Sequence, residues 1–215
     1  MSGLAATIHI IDDDSSIRTA LSRLLRAAGY EVRTYASAGE FLIEERGAGP
    51  ACVVLDVQMP GPSGLDLQKK LGTGDDPLPI IFLTGHGDIP MSVRAMRAGA
   101  VDFLTKPVKR EALLSAVQAA LAADGDRRAA RDRVQHVRTR FDTLTARERE
   151  VFGRVVAGML NKQIAAELNC SIRTVKIHRA RTMEKMQVDS LADLVRTAEL
   201  LHLRKGKNVT KPTTD

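Results

Sequence analysis

Asp12, Asp13, Asp56, Thr84 and the pair Lys106-Pro107 are the residues of this 215-residue chain best able to do chemistry together. Each ends or closely follows a short apolar run, at 8–11, 52–55, 80–83 and 101–104. Carboxylates drawn together at strand ends cannot all stay ionised cheaply without a cation. Mg²⁺ suits them, because it takes one or two carboxylates along with waters and phosphate oxygens. One carboxylate is then left to be the nucleophile. Asp56 fits best, since it ends a central run and precedes the turn Gln58-Met59-Pro60-Gly61. The cation neutralises oxygens in a loose phosphoryl transition state. The Thr84 hydroxyl and the Lys106 ammonium serve the remaining phosphoryl oxygens. The chemistry expected is transfer of a phosphoryl group onto a carboxylate.

Two smaller features agree with this reading. Pro107 allows a cis bond that aims Lys106 back across the strand ends. Gly85 leaves room beside Thr84 for a donor to approach. Taken singly, these residues have ordinary uses. Asp14 before Ser15-Ser16 reads as a helix N-cap, Asp13 is cap or ligand, Thr84 suits any strand, and Lys106 suits a solvated loop.

The elements that must position these residues are legible from periodicity. Apolar runs of about four residues separated by helix-period segments read as buried parallel strands. Segment 15–28 is amphipathic through Ile17, Leu21, Leu24, Leu25 and Ala28, and stops at Gly29. Residues 31–35 read as a strand, and 39–46, 64–71, 89–98 and 110–121 as helices. Strict alternation predicts an α/β fold with a doubly wound, five-stranded parallel sheet over 1–121. In such a sheet, ligands bind beyond the carboxyl ends of the strands, where the five chemical residues fall.

Charge divides the chain. Residues 1–121 carry 12 Lys+Arg against 14 Asp+Glu, a net of −2, and the rest 20 against 12, a net of +8. A basic second half points to a polyanion partner. Two cysteines, Cys52 and Cys170, give no disulfide framework and suit a reduced, cytoplasmic protein. No apolar stretch approaches a membrane span and no signal sequence opens the chain, so no membrane association is expected. Residues 122–142, rich in Ala and Arg, read as a partly helical linker continuing the fifth helix.

Beyond the linker, Thr145-Ala-Arg-Glu148 is a capping box opening a helix with Val151, Val155, Val156 and Met159 on one side. Asn161 is placed to cap a second helix, 162–168, and Ser171 a third that reaches Met186. A fourth runs from about 190 to 202. Four short helices with a tight turn between the second and third predict a small all-α helix-turn-helix domain over 143–204. The third helix carries Arg173, Lys176, Arg179, Arg181 and Lys185 with Glu184 as its one acid, leaving Val175, Ala180, Met183 and Met186 for the core. Such a helix suits the DNA major groove. The tail 205–215 is polar and expected to be disordered.

Ile10-Ile11-Asp12-Asp13-Asp14, Leu55-Asp56-Val57-Gln58-Met59-Pro60, Leu83-Thr84-Gly85-His86-Gly87 and Phe103-Leu104-Thr105-Lys106-Pro107 resemble the receiver domain of two-component response regulators, with its flavodoxin-like fold. Leu144-Thr-Ala-Arg-Glu-Arg-Glu150, Gly158-Met-Leu-Asn-Lys-Gln-Ile-Ala165 and Ser171-Ile-Arg-Thr-Val-Lys-Ile-His178 resemble the LuxR-type output domain. Together they place the chain nearest the FixJ-like branch of the NarL/FixJ class. The resemblance implies that Asp56 accepts phosphate from a sensor histidine kinase. It implies Mg²⁺, with Mn²⁺ as an alternative, on Asp12, Asp13, Asp56 and the backbone carbonyl of Gln58. Thr84 and Phe103 would form a switch pair, where many relatives have Tyr in place of Phe. Lys176, Ile177 and Ala180 would face base edges of double-stranded promoter DNA, and Thr174, His178, Arg179, Arg181 and Lys185 its backbone. RNA polymerase is a further partner.

Phosphorylation is expected to reshape the segment 88–105. Val93 would centre a two-fold contact, with Arg97 pairing with Asp102 across the axis in a phosphorylated homodimer. Ile89 and Met96 more simply cover the sheet. The main rival is a phosphatase of the haloacid-dehalogenase type, which needs a second Asp two residues after the nucleophile. Gln58 stands there, so only self-phosphorylation and slow hydrolysis are expected, tuned by Gln58 and His86. Two other rivals are constitutive DNA binding under control of the linker and a purely protein-binding adaptor. Steep salt dependence of DNA binding would separate the adaptor.

Overall fold

The computed structural model describes residues 6–44, 47, 49–60, 63–72, 77–85 and 89–201. The chain forms two compact units, Met1–Arg128 and Ala129–Asp215.

The first unit holds strands β1 (Thr7–Ile11), β2 (Glu31–Tyr35), β3 (Ala51–Asp56), β4 (Ile80–Thr84) and β5 (Asp102–Thr105). Helices α1 (Ser15–Ala27), α2 (Ala38–Leu42), α3 (Gly64–Gly72) and α4 (Ile89–Arg97) alternate with them, and α5 (Arg110–Asp142) follows. All pairings are parallel, in the order β2-β1-β3-β4-β5. The order reverses between β1 and β3, so the crevice at the switch point opens beside the residues that end those two strands. They are Asp12 and Asp56.

Burial explains why these strands read as unbroken apolar runs. Every residue of β3 and β4 is buried, since helices cover both faces. Side chains alternate across the sheet. Val53, Leu55 and Phe82 join Phe41, Leu67 and Leu71 in one core layer. Val54, Ile81 and Leu83 join Leu21, Leu25, Leu113 and Val117 in the other. Each fully buried Leu or Val contributes about 1.5–3 kcal/mol. An acid at Val54, at the centre of the second layer, would break the unit.

Local signals set the helix ends. Asp14 is the N-cap of α1, accepting the Ser16 N–H at 2.8 Å. The chain leaves α1 through Gly29 at φ +89°, where a side chain would be strained. Helix α2 ends at Leu42, short of the 39–46 expected, and residues 45–46 lie outside the described set. Residues 122–142 are helical throughout, as part of α5.

The second unit contains α6 (Ala146–Val156), α7 (Asn161–Glu167), α8 (Ile172–Met186) and α9 (Leu191–Leu200). Its core joins Val151, Phe152 and Val155 with Ile164, Val175, Met186 and Leu194, closed by Val137 and Phe141 from the end of α5. Phe141 and Phe152 meet edge to face at 5.2 Å. The Thr145–Glu148 capping box forms as expected. Ser171 and Ser190 cap α8 and α9. Leu160, rather than Asn161, takes the N-cap position of α7, and its N–H is held by the Gln163 side-chain oxygen at 2.7 Å. Asn161 instead accepts a bond from Arg179 at 3.2 Å. Ala180 is exposed and plays no part in the core, because its place on α8 faces away from α6 and α7.

Candidate functional site

Asp12 and Asp56 are both buried at the carboxyl end of the sheet, and Asp13 is exposed beside them. One carboxylate oxygen from each of the three lies within 4.8 Å of the others. Lys106 Nζ sits between two of them, donating to Asp12 Oδ2 at 2.6 Å and to Asp56 Oδ2 at 2.8 Å. The other oxygens accept backbone N–H groups, Asp14 N–H on Asp12 at 3.0 Å and Gln58 N–H on Asp56 at 3.1 Å. The peptide between Lys106 and Pro107 is cis.

The charges oppose each other here. Burial pushes the Asp12 carboxyl above its ordinary range, and the bonds from Lys106 and Asp14 do not fully offset it. Burial alone would lower Lys106, but its bonds to Asp12 and Asp56 outweigh that and hold the ammonium above its ordinary value. A carboxylate that resists ionisation beside two others fits a divalent cation, which stabilises the ionised form. These three carboxylates can hold a metal ion.

Thr84 ends β4 fully buried, and its carbonyl accepts the Lys106 N–H at 2.7 Å. Phe103 stands opposite Phe82 on β5, half-buried, with its ring 6.2 Å from that of Phe82. Gly85 is open, with nothing within 4 Å of an added Cβ. Gly64 is the reverse, since a Cβ there would stand 2.5 Å from the Asp56 carbonyl. The sequence reading missed Gly64, whose role depends on a turn closing α3 onto β3. It missed Arg18 too, whose Nη1 bonds the carbonyls of Asp12 at 2.6 Å and Asp13 at 2.9 Å. His86, expected near the water path, lies outside the described residues, as does the tail 205–215.

On α4, Val93 is 41% exposed and Met96 46%, so Met96 does not cover the sheet as expected. Ala95 takes that role, because it is the residue on the inner turn and is fully buried. Arg97 is exposed, and Asp102 accepts the Phe103 N–H at 2.7 Å.

In the second unit, Arg173, Lys176, Ile177, Ala180 and Arg181 are all exposed on α8. Their spacing of three, one, three and one puts them on one helix face. Thr174, His178 and Arg179 lie half-buried along its flank. Lys185 departs from the expected role. Its Nζ binds Glu148 Oε2 at 2.6 Å and the Thr143 carbonyl at 3.3 Å, tying α8 to the start of α6. Glu148 is only 3% exposed and needs that cation.

Two family models account for most of the chain. The response regulator receiver domain matches residues 8–118, and the luxR family of bacterial regulatory proteins matches 142–198. The chain belongs to the response regulators. Relatives place it in the NarL/FixJ class. It is 46% identical to the response regulator protein TodT of Pseudomonas putida over 94% of this chain and 88% of that one. It is 48% identical to nodulation protein W of Bradyrhizobium diazoefficiens, over 91% and 86%. Transcriptional regulatory protein FixJ of the same organism is 41% identical, over 89% and 93%. Among solved structures, the response regulator StyR matches at TM-score 0.81 and 46% identity, covering 91% of this chain and 99% of that one. This response regulator therefore joins a receiver to a LuxR-type DNA-binding domain, and is homologous to transcriptional regulators of two-component systems. The family is one of transcription regulators rather than classical enzymes. Its two domains imply a histidine kinase and DNA as partners. No described helix is long and apolar enough to cross a membrane.

Proposed function

We propose that Asp56 accepts a phosphoryl group from the phosphohistidine of a sensor histidine kinase, and that the phosphorylated protein dimerises and binds promoter DNA. One observation carries this reading: Lys106 bridges Asp12 and Asp56 at the switch point, with Asp13 within reach of both. The Asp56 Oδ2 that now accepts from Lys106 is the oxygen best placed as nucleophile, because a phosphoryl group arriving there brings oxygens that can take over the ammonium. Asp12, Asp13, Asp56 and the Gln58 carbonyl would hold Mg²⁺, or Mn²⁺ in its stead. When bound, that ion supplies charge neutralisation to the transferring oxygens. The Thr84 hydroxyl then turns toward the phosphoryl group, and the Phe103 ring follows it inward beside Phe82. The aspartyl phosphate is hydrolysed slowly, as Gln58 stands where a phosphatase has its acid/base.

The output follows from the exposed faces. Movement of Thr84 and Phe103 reshapes α4 and β5, and Val93 with Arg97 and Asp102 forms a two-fold contact there. Arg173, Lys176, Ile177, Ala180 and Arg181 enter the major groove, with Thr174, His178 and Arg179 toward the phosphates. Ala180 offers only apolar contact, as to a thymine methyl. Lys185 serves the fold. RNA polymerase is the further partner at the promoter, and the protein acts in the cytoplasm.

Light scattering with Mg²⁺, before and after adding beryllofluoride, tests this. Wild type should double its mass, Asp56→Asn should remain a monomer, and Arg97→Ala should dimerise more weakly. A mass that does not respond in wild type would overturn the switch.

A further inference from the structure

A second charged site lies along α1 and β2, beside the segment that carries Asp12 and Asp13. Ser15, Arg18, Thr19, Ser22, Arg23 and Arg26 on α1, with Thr34 on β2, line a cleft of about 350 Å³. Their spacing repeats the three-and-four step of one helix face. The cleft has three guanidinium groups and no acid in its lining. Among the described residues, none of the three forms an ion pair. A basic helix face normally carries interleaved acids, so three uncompensated arginines beside hydroxyls are unusual.

Two of the arginines are already positioned. Arg18 is held by the carbonyls of Asp12 and Asp13, and Arg26 Nη2 donates to the Val32 carbonyl at 3.0 Å. Each such bond uses one amine of the fork and leaves other N–H groups to donate. Ser22 is 7% exposed, and its hydroxyl makes no hydrogen bond among the described residues. Guanidinium donors held in place beside hydroxyls, with no acid among them, suit a ligand rich in acceptors.

We propose that this cleft binds a small phosphorylated ligand carrying at least two phosphoryl groups. Tetrahedral oxyanions match both arginine forks and hydroxyls. Arg18 and Arg26 stand eight positions apart, a backbone rise of about 12 Å, so their long side chains meet one ligand only by converging over Ser22. Three cations call for a ligand of comparable negative charge. Because Arg18 also braces the carbonyls of Asp12 and Asp13, ligand binding reaches the carboxylate site through that one side chain.

The test is a residue-resolved NMR titration of the full chain, free of divalent metal, with pyrophosphate as the probe. Sodium chloride at matched ionic strength and polyglutamate are the comparisons. Saturable shifts are expected at the amides of 18–26 and 34, spreading to Asp13 and Asp14. The Arg23→Ala/Arg26→Ala variant should bind at least roughly tenfold more weakly. Arg23→Glu, at an exposed position, should do the same without touching the fold. Shifts matched by chloride, saturation confined to α8, or unchanged affinity in both variants would overturn the proposal. So would tighter binding of polyglutamate, which would make the cleft an acidic-protein contact.

Discussion

Replacing Lys185 by Met separates a DNA-contacting lysine from a structural one. Glu148 is 3% exposed, and its Oε2 accepts both Lys185 Nζ at 2.6 Å and the Thr145 N–H at 2.9 Å. Stripping the partner from a buried charge costs about 3–5 kcal/mol. The Lys185 side chain is 35% exposed, so water enters as the ammonium leaves, and the Thr145 bond remains. The expected cost is therefore about 2 kcal/mol. For a unit of this size that lowers the unfolding midpoint by on the order of 10 °C. The assay is thermal and urea unfolding of Lys185→Met against wild type, repeated across pH. Burial pushes the Glu148 carboxyl up, but the bonds from Lys185 and Thr145 outweigh it and hold it below its usual value. A depressed folded pKa gives stability that is present above the unfolded value, about 4.3, and lost as pH falls through the folded one. The gap between wild type and variant should accordingly close in acid. A phosphate contact would give the opposite pattern, with an unchanged midpoint and a salt dependence of DNA binding shallower by about one ion. That result would refute the reasoning.

Three other perturbations follow from the geometry. Gly64→Ala forces a Cβ against the Asp56 carbonyl, costing about 1–3 kcal/mol and slowing phosphorylation; a normal phosphorylation rate would show that the β3–α3 turn does not set Asp56. Asp124 is fully buried, paired with Arg127 and Arg128 and accepting the Ala51 N–H at 3.0 Å, so Asp124→Ala should cost about 3–5 kcal/mol in urea unfolding. A loss below about 1 kcal/mol would mean that this pairing hardly outweighs its desolvation. Because burial raises the Asp12 carboxyl above its ordinary range, Mg²⁺ affinity should fall and proton release rise as pH is lowered, over a window that opens above the usual carboxylate range, measured by calorimetry. Affinity constant across that window would contradict the role given to Asp12.

The two halves of the site differed in how openly the sequence displayed them. Strands buried on both faces write themselves as apolar runs, and their ends located Asp12, Asp56 and Thr84 without tertiary information, while the half-buried edge strand β5 still carried enough apolar residues to locate Lys106. Caps are local as well, which is why Asp14, Thr145 and Ser171 were legible. Long-range pairing was not. Lys185 looks like its basic neighbours until α6 packs 37 residues away to bring Glu148 beneath it. Asp124 likewise finds Ala51 across 73 residues, and Arg18 finds carbonyls that no side-chain pattern reports. Met96 and Ala180 were misjudged for a related reason. About half a turn of rotation separates the inner face of a helix from the outer, and both residues are small or flexible enough to suit either.

The central claim is that Asp56 is the residue that takes the phosphoryl group. Intact-mass spectrometry with peptide mapping, after treatment with a small phosphoryl donor and Mg²⁺, tests it most directly. The account predicts one added phosphoryl group in wild type, on the peptide containing Asp56, and none in Asp56→Asn. A stable adduct in Asp56→Asn equal to wild type, or one mapped to another residue, would contradict it.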